Sequence, residues 1–259
     1  MLPRYNHRKL VSSQHLFAAS WPPAAFPSSK LDGRATSFPG CDLALAPTAA
    51  QAQAWWDASP YYWMGYYLGG CCATASWVGA IDYPTLAGQG WGLRPLYVGQ
   101  QTCGPCLGCA CRPLLHPTAQ GRGDADDAAT RARQVGFPPS ATLYLDVEQI
   151  TGYTMGQAML EYVNEWLYWL SAEHGFGAGV YTSGAQAARI QSIGIHPPFW
   201  IACYPGGSGY ASPAACPCFP APAVWQWGGG RPETWGGVTL TVDVDVAEGT
   251  GAGGAQPAP

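Results

Sequence analysis

The chain has little charge and almost no lysine, and these absences exclude several classes of function. Only 11% of its 259 residues are charged, the net charge is −4, and Lys9 and Lys30 are the only lysines. Nucleic-acid surfaces need clustered basic side chains to neutralise phosphates, so we expect no nucleic-acid partner. Long hydrophobic runs are also missing, because every apolar run is far shorter than a bilayer span requires. We therefore expect no membrane insertion.

No apolar signal-peptide segment is visible either, because polar residues at 12–15 interrupt the patches that follow the basic N-terminus. Ten cysteines nevertheless indicate oxidising surroundings. A mature form, another export route or release within a particle would reconcile the two observations. We predict an extracellular, cell-surface or virion protein.

Four of the cysteines crowd into residues 103–111. Their spacing is too tight for a good tetrahedral zinc site, and no amphipathic helix follows to support a thioredoxin-type redox pair. We favour disulfides that staple surface loops, with pairing left open. The possible partners elsewhere in the chain are Cys71, Cys72, Cys203, Cys216 and Cys218.

Apolar residues make up 47% of the chain, enough for a sizeable core. Residues 1–37 are rich in Pro, Ser and Ala and predict an extended N-terminal arm, and residues 249–259 form a Gly/Ala/Pro-rich tail. Such segments are suited to gripping neighbouring protein chains. The folded domain is expected at 38–248.

Between the arm and the tail, strand-like and helix-like patterns alternate. Strands are predicted at 38–45, 63–69, 93–99, 142–148, 178–183, 198–204, 223–227 and 238–246, and helices at 48–58, 76–89, 118–135, 154–174 and 184–193. This order predicts an α/β fold, a (β/α)8 TIM-like barrel, with an open doubly wound sheet as the alternative. The region 205–222 is too rich in Pro and Gly for a normal helix, so the barrel should be partly irregular there.

The strand predicted at 142–148 carries two acids on one face. Asp146 and Glu148 alternate with apolar residues, so both side chains point the same way. Two neighbouring carboxylates repel each other and resist burial, which raises one pKa and suits acid and base roles in glycoside cleavage. A metal site or an arginine-paired structural cluster is the alternative interpretation.

Two further strands carry acids in the same manner. Asp42 ends the first predicted strand, and Asp243 and Asp245 share one face of the strand at 238–246. Barrel enzymes hold their active sites at the carboxyl ends of the strands. We therefore predict one acidic pocket, with no metal and no cofactor.

Aromatic residues are the second signal for a carbohydrate site, because rings stack on sugar faces while acids bind hydroxyls. Most rings should belong to the core. The predicted substrate-binding set, to which Asp243 is added, consists of Tyr67, Tyr97, Tyr181, Trp200, Tyr204 and Trp227.

Six motifs occur in an order that resembles a known family. They are FPGCDLA at 38–44, GYYLGG at 65–70, GQGWGLRPLYVG at 88–99, LYLDVE at 143–148, GVYTS at 179–183 and VDVD at 242–245. Together they are similar to the bacterial and phage glycoside-hydrolase-like domain, a barrel related to family 25 lysozymes. The resemblance spans roughly residues 38–248 and departs from the lysozymes in a cysteine-rich insertion at 100–115.

The resemblance implies a barrel that cleaves or binds cell-wall glycan. Glu148 would be the general acid, and Asp146 would orient the N-acetyl group or stabilise the positive transition state. Asp42 and either Asp243 or Asp245, with Asp245 favoured as the outer one, match the supporting acids. The alternative is a non-catalytic structural or carbohydrate-binding component of a surface or virion assembly.

Overall fold

A computed structural model describes residues 37–101, 113–148, 155–206 and 212–249. Within these ranges eight strands close into one barrel in chain order. The strands are β1 (Phe38–Asp42), β2 (Trp63–Gly69), β3 (Gly92–Val98), β4 (Thr142–Asp146), β5 (Gly177–Ser183), β6 (Phe199–Ala202), β7 (Val224–Trp235) and β8 (Val238–Ala247). The helices are α1 (Ala49–Ala58), α2 (Tyr83–Gln89), α3 (Pro117–Gln134), α4 (Gln157–His174) and α5 (Gly184–Gln191). The predicted closed α/β barrel is confirmed, and the open sheet is not formed.

β8 runs in the opposite direction to its neighbours. The first seven strands are parallel, whereas β8 pairs antiparallel with both β7 and β1. A parallel connection needs a long crossover, but Gly236 and Gly237 join β7 to β8 directly, with left-handed φ angles of 56° and 77°. The result is a long hairpin, in which β7 continues to Trp235 rather than ending at 227 as the sequence indicated.

The outer part of this hairpin covers helix α1. Register shifts on either side of Gly228 bend the two strands away from the barrel. Trp55 then donates its indole N–H to the carbonyl of Val238 at 2.9 Å, and the Tyr61 hydroxyl donates to Glu233 at 2.8 Å. The hairpin thus packs on α1 at Trp55 and on Tyr61, which follows the helix.

Strand alternation divides the apolar residues into two layers. Leu143, Leu145 and Val147 belong to the outer layer beneath the helices, while Tyr144 faces the barrel interior, as predicted for 142–148. The interior cluster consists of Phe38, Trp63, Leu96, Tyr144, Tyr181, Trp200, Val224 and Ala247.

Glycines make room for two indole rings inside the barrel. A Cβ at Gly40 would lie 2.0 Å from the Trp63 ring, and one at Gly65 would lie 3.1 Å from the Trp200 ring. The two rings meet edge to face, with centroids 5.4 Å apart. They fill the interior below the level of Asp42, so polar side chains are left at the carboxyl end of the strands.

The segment 76–89 differs from its sequence prediction, whereas the segment 205–222 agrees with it. The helix predicted at 76–89 begins only at Tyr83, because Asp82 caps it by accepting the Thr85 N–H at 2.9 Å. In the described part of 205–222 the single helical element is a short 3₁₀ turn, Pro213–Ala215, as its Pro and Gly content predicted.

A disulfide between Cys203 and Cys218 staples the segment between β6 and β7. Cys72 is also disulfide-bonded. The cysteines of 103–111 and residues 1–36 and 250–259 lie outside the described residues, so the predicted arm and tail stay predictions. None of the described helices combines the length and apolar content needed to cross a membrane.

Candidate active site

Five carboxyl groups, which we term the acidic cluster, meet at the carboxyl end of the parallel strands. They are Asp42, Asp146, Glu148, Asp243 and Asp245. Asp42 ends β1, Asp146 ends β4, and Glu148 follows two residues later on the same face. The two acids of β8 reach this end of the barrel from the middle of an antiparallel strand rather than from a strand end.

The pairing of β8 with β1 decides which of its acids is the outer one. Asp243 lies opposite Asp42, whereas Asp245 lies opposite Gly40, one step deeper in the barrel. Asp243 is partly exposed and accepts the Gly230 N–H at 2.6 Å, while Asp245 is buried and accepts the Trp200 indole N–H at 2.9 Å. The sequence resemblance favours Asp245 as the outer acid, whereas the antiparallel direction of β8 makes Asp243 the outer one.

Glu148 is the exposed member of the acidic cluster. Its backbone N–H donates to Gln101 Oε1 at 2.7 Å, and Gln101 Nε2 donates to the Asp146 carbonyl at 3.1 Å, so one side chain fixes this stretch of backbone. Partial burial of the carboxyl raises the pKa of Glu148. A hydrogen bond from Tyr181, at 3.3 Å, lowers it, and the charge of Asp243 raises it further.

Asp146 and Asp245 are the deep members. Burial raises the pKa of Asp146 well above its ordinary value, and the charges of Glu148 and Asp42 act in the same direction. Oδ1 of Asp146 is shut off from solvent and has no hydrogen-bond partner in the part of the chain that the structure describes. Burial, together with the charge of Asp42, likewise raises the pKa of Asp245. Both groups therefore favour the protonated form and can donate a hydrogen bond.

Asp42 is as buried as Asp146 and Asp245, but both of its oxygens are hydrogen-bonded. Its oxygens accept hydrogen bonds from the Tyr67 hydroxyl at 2.8 Å and from Gln226 Nε2 at 2.7 Å. Burial and the charge of Asp243 raise the pKa of Asp42 to about 7, although both hydrogen bonds lower it. Asp42 consequently changes charge near neutrality.

Gln226 is the residue that sequence reasoning missed. It is fully buried on β7 and contacts Asp42, Asp243, Tyr181 and Tyr204 through its amide. A signal was present, because a lone amide in the apolar segment 224–227 resists burial unless its hydrogen bonds are satisfied.

Two of the predicted aromatic residues contact the acidic cluster through their hydroxyls, and a third contacts Gln226 beside it. Tyr67 contacts Asp42, Tyr181 contacts Glu148, and Tyr204 contacts Gln226. The side chain of Tyr204 is 56% exposed, so its ring is open to a ligand. In contrast, Trp200 is fully buried beneath the cluster and supports Asp245 rather than reaching the opening.

The structure places the other two predicted aromatic residues on the outer face of their strands. Tyr97 packs near Trp166, with ring centroids 6.4 Å apart, and donates its hydroxyl to Asp127 of α3 at 3.0 Å. Trp227 packs against the outer layer and lies under the Arg231 guanidinium. Neither ring faces the acidic cluster in this arrangement, and their role as substrate contacts stays a prediction.

The arrangement combines an exposed carboxyl with proton-holding carboxyls and neutral hydroxyls, which suits proton transfer to a polar ligand. Within the described ranges, no three His, Cys, Asp or Glu side chains are grouped so as to hold a metal ion.

A family model for the Rv2525c-like, glycoside hydrolase-like domain matches residues 53–247. No curated protein matches the sequence. Among solved structures, the chain is similar to an uncharacterized protein of B. stearothermophilus, with 20% identity, a TM-score of 0.56, and coverage of 81% of this chain and 95% of the other. The Tat-secreted protein Rv2525c of Mycobacterium tuberculosis follows, with 17% identity, a TM-score of 0.54, and coverage of 80% and 94%. A bacterial lysozyme from Streptomyces coelicolor is also similar, with 16% identity, a TM-score of 0.53, and coverage of 82% of this chain and 93% of the other. At these identities the likeness shows a shared fold.

Proposed function

Because the chain belongs to the Rv2525c-like family of glycoside hydrolase-like domains, we propose that its acidic cluster binds cell-wall glycan and cleaves it by acid catalysis. One observation carries the proposal: the exposed Glu148, whose pKa is raised, lies within electrostatic reach of Asp146 and Asp243, at the same end of the barrel as Asp42. Glycoside cleavage requires such a carboxylic acid next to a second, differently charged carboxyl group.

In the proposed reaction Glu148 transfers its proton to the glycosidic oxygen while the bond from that oxygen to the sugar carbon breaks. Positive charge develops on the sugar, and the ionised carboxylates of Asp42 and Asp243 stabilise it. Asp146, protonated, donates a hydrogen bond that orients an N-acetyl carbonyl. Water then adds to the sugar carbon and returns a proton to the Glu148 carboxylate. Tyr67, Tyr181 and Tyr204 bind hydroxyls, and the exposed ring of Tyr204 offers a stacking surface.

The second candidate is a component that binds glycan without turnover, in a surface or virion assembly that retains the barrel. It is favoured by the burial of Asp146 and Asp245, which keeps both carboxyls protonated and therefore suited to holding sugar oxygens. The two candidates share a ligand and differ in whether Glu148 delivers a proton.

Glu148→Gln separates the candidates, because the amide keeps the shape of the side chain but carries no transferable acid proton. We expect the loss of cell-wall clearing by about 10²- to 10⁴-fold, with unchanged binding of chitooligosaccharides measured by calorimetric titration. Glu173→Gln, the same change in the last turn of α4, is the matched control and should leave clearing unaltered.

Equal clearing by the wild type and Glu148→Gln would reject the acid mechanism. Binding by both proteins with no clearing by either would favour the non-catalytic component. A stable monomer that clears walls, seen by light scattering, would argue against a purely structural assembly.

A cell-wall ligand also places the proposed activity outside the cell. The disulfide between Cys203 and Cys218 supports this setting, because disulfides persist in oxidising compartments.

A further inference from the structure

Gln226 connects the acidic cluster to two tyrosines through one buried amide. Its Nε2 donates to Asp42 Oδ2 at 2.7 Å and to Asp243 Oδ2 at 3.3 Å. Its Oε1 accepts from the hydroxyls of Tyr181, at 2.8 Å, and Tyr204, at 2.5 Å. Both amide hydrogens and both carbonyl lone pairs are in use, which fixes the orientation of the amide.

The Tyr181 hydroxyl has one hydrogen, and besides the Tyr204 hydroxyl two acceptors lie within its reach. Its oxygen lies 2.8 Å from Gln226 Oε1 and 3.3 Å from Glu148 Oε1. Burial raises the pKa of Tyr181 well above its ordinary value, and the charge of Glu148 adds to this, so the hydroxyl keeps its hydrogen. Because the shorter contact is the stronger one, Gln226 holds the larger share of that hydrogen bond.

We infer that Gln226 is a positioning residue that holds the Tyr181 hydroxyl away from protonated Glu148 and releases it once Glu148 has given up its proton. The inference rests on the proposed function and adds a residue to it. When the Glu148 carboxylate forms, the hydroxyl rotates towards it, because an ionised acceptor binds a donor more strongly than an amide carbonyl does. Tyr204 continues to satisfy the carbonyl of Gln226, so no buried acceptor is left without a partner.

The amide hydrogens act on the opposite side of the site. By donating to Asp42 and Asp243, Gln226 favours the ionised form of both carboxyls, the form that stabilises positive charge on a sugar. The titratable groups that contact Gln226 are Asp42, Tyr181, Tyr204 and Asp243. Tyr67, Asp146, Glu148 and Asp245 act on Asp42 or Tyr181 in turn.

Two variants test the inference, because they move the titration of Glu148 in opposite directions. Gln226→Glu adds a negative charge and accepts a stronger hydrogen bond from the Tyr181 hydroxyl. Both effects disfavour the Glu148 carboxylate, so the acid dissociation constant of Glu148 should fall by about tenfold. Gln226→Met keeps the length but removes the competing carbonyl, so Tyr181 donates to Glu148 alone and that constant should rise by about threefold or more.

The titration is followed by carboxyl ¹³C NMR of protein labelled at glutamate, with the Glu148 resonance assigned by its loss in Glu148→Gln. Gln134→Glu, the same change at the exposed end of α3, is the control and should leave the midpoint in place. A residue that only fills space would lower the unfolding temperature in both variants without opposite changes of this midpoint.

Opposite shifts in the two variants support the inference. A midpoint that stays fixed, or moves in the same direction in both, overturns it. If one variant does not fold, the sign of the shift in the other decides. The measurement needs no glycan, so a wild type that titrates as expected but never clears cell walls would count against the proposed function alone.

Discussion

Asp42 shows how one buried side chain can make folding depend on pH. Its pKa is raised from the ordinary 3.8 to about 7, with burial as the first cause and the charge of Asp243 as the second. The folded chain therefore binds this proton more tightly than the unfolded chain. The resulting stability is fully present below about pH 4 and is lost as the pH rises through 7.

Asp42→Asn should reduce this dependence, because the amide cannot ionise, while the other carboxyls with raised pKa values retain the rest of it. At about 1.4 kcal/mol per tenfold change in proton affinity, ionising Asp42 costs the wild type on the order of 4 kcal/mol of unfolding free energy. Urea unfolding at pH 5, 6.5 and 8 measures the slope.

Asp57→Asn, at an exposed position of α1, is the matched control and should retain the slope of the wild type. The assignment to Asp42 fails if Asp42→Asn loses stability with rising pH as steeply as the wild type does.

At the scale of a single strand, the missing side chain of Gly65 on β2 leaves the space that the Asp42 side chain occupies. A Cβ at this position would lie 2.5 Å from Asp42 Cβ and 3.0 Å from Leu96 Cδ1. Gly65→Ala should cost about 1–3 kcal/mol of unfolding free energy through overpacking. It should also reduce cell-wall clearing if the wild type has that activity, since Asp42 must move.

Gly123→Ala is the matched control for that change. Apart from the adjacent residues and the helix's own backbone, no atom lies within 4 Å of a Cβ built at this exposed position of α3, so alanine should stabilise the helix by up to about 1 kcal/mol. Thermal unfolding of the two variants should thus give shifts of opposite sign. Equal shifts would show that the crowding around Gly65 relaxes without cost.

Between β6 and β7, where the described residues form only a short 3₁₀ helix, the Cys203–Cys218 disulfide restrains the connecting segment. It closes a loop with a sequence separation of 15, and Tyr204 follows Cys203 directly. Replacing both cysteines by serine should lower the unfolding free energy by about 3 kcal/mol and weaken chitooligosaccharide binding, because Tyr204 loses its anchor.

Cys216→Ser is the comparison for that pair, since Cys216 is a buried thiol that joins no disulfide in the described residues. It should cost less than the double change and leave binding intact. A double variant as stable as the wild type in urea would contradict the role given to the bridge.

Across the whole molecule, the alternating patterns at 142–148 and 238–246 were enough to predict which acids share a face. They could not give the direction of β8, which depends on the two-glycine turn and not on the strand itself. Because β8 is antiparallel, Asp243 lies level with Asp42 and Asp245 lies deeper in the barrel, which is the reverse of the predicted order.

The sequence could not show which face of the barrel wall carries Tyr97 and Trp227, for another reason. Both sides of a barrel strand are buried, one against helices and one in the interior, so apolar residues occur on both and their pattern does not distinguish inside from outside. The lone amide of Gln226 in the apolar segment 224–227 indicates a buried polar contact, but a single residue has no spacing that could identify its four partners.

The reversed course of β8 also settles how the barrel could be attached to a surface. Phe38 pairs with Ala247, so the described chain enters and leaves on the same side, opposite the acidic cluster. Arg94 fastens the departing backbone there by donating to the carbonyl of Gly249 at 2.6 Å. A bead, a tag or a fused protein tethered through either flank would therefore be attached at the base of the barrel and leave the acidic cluster facing outward.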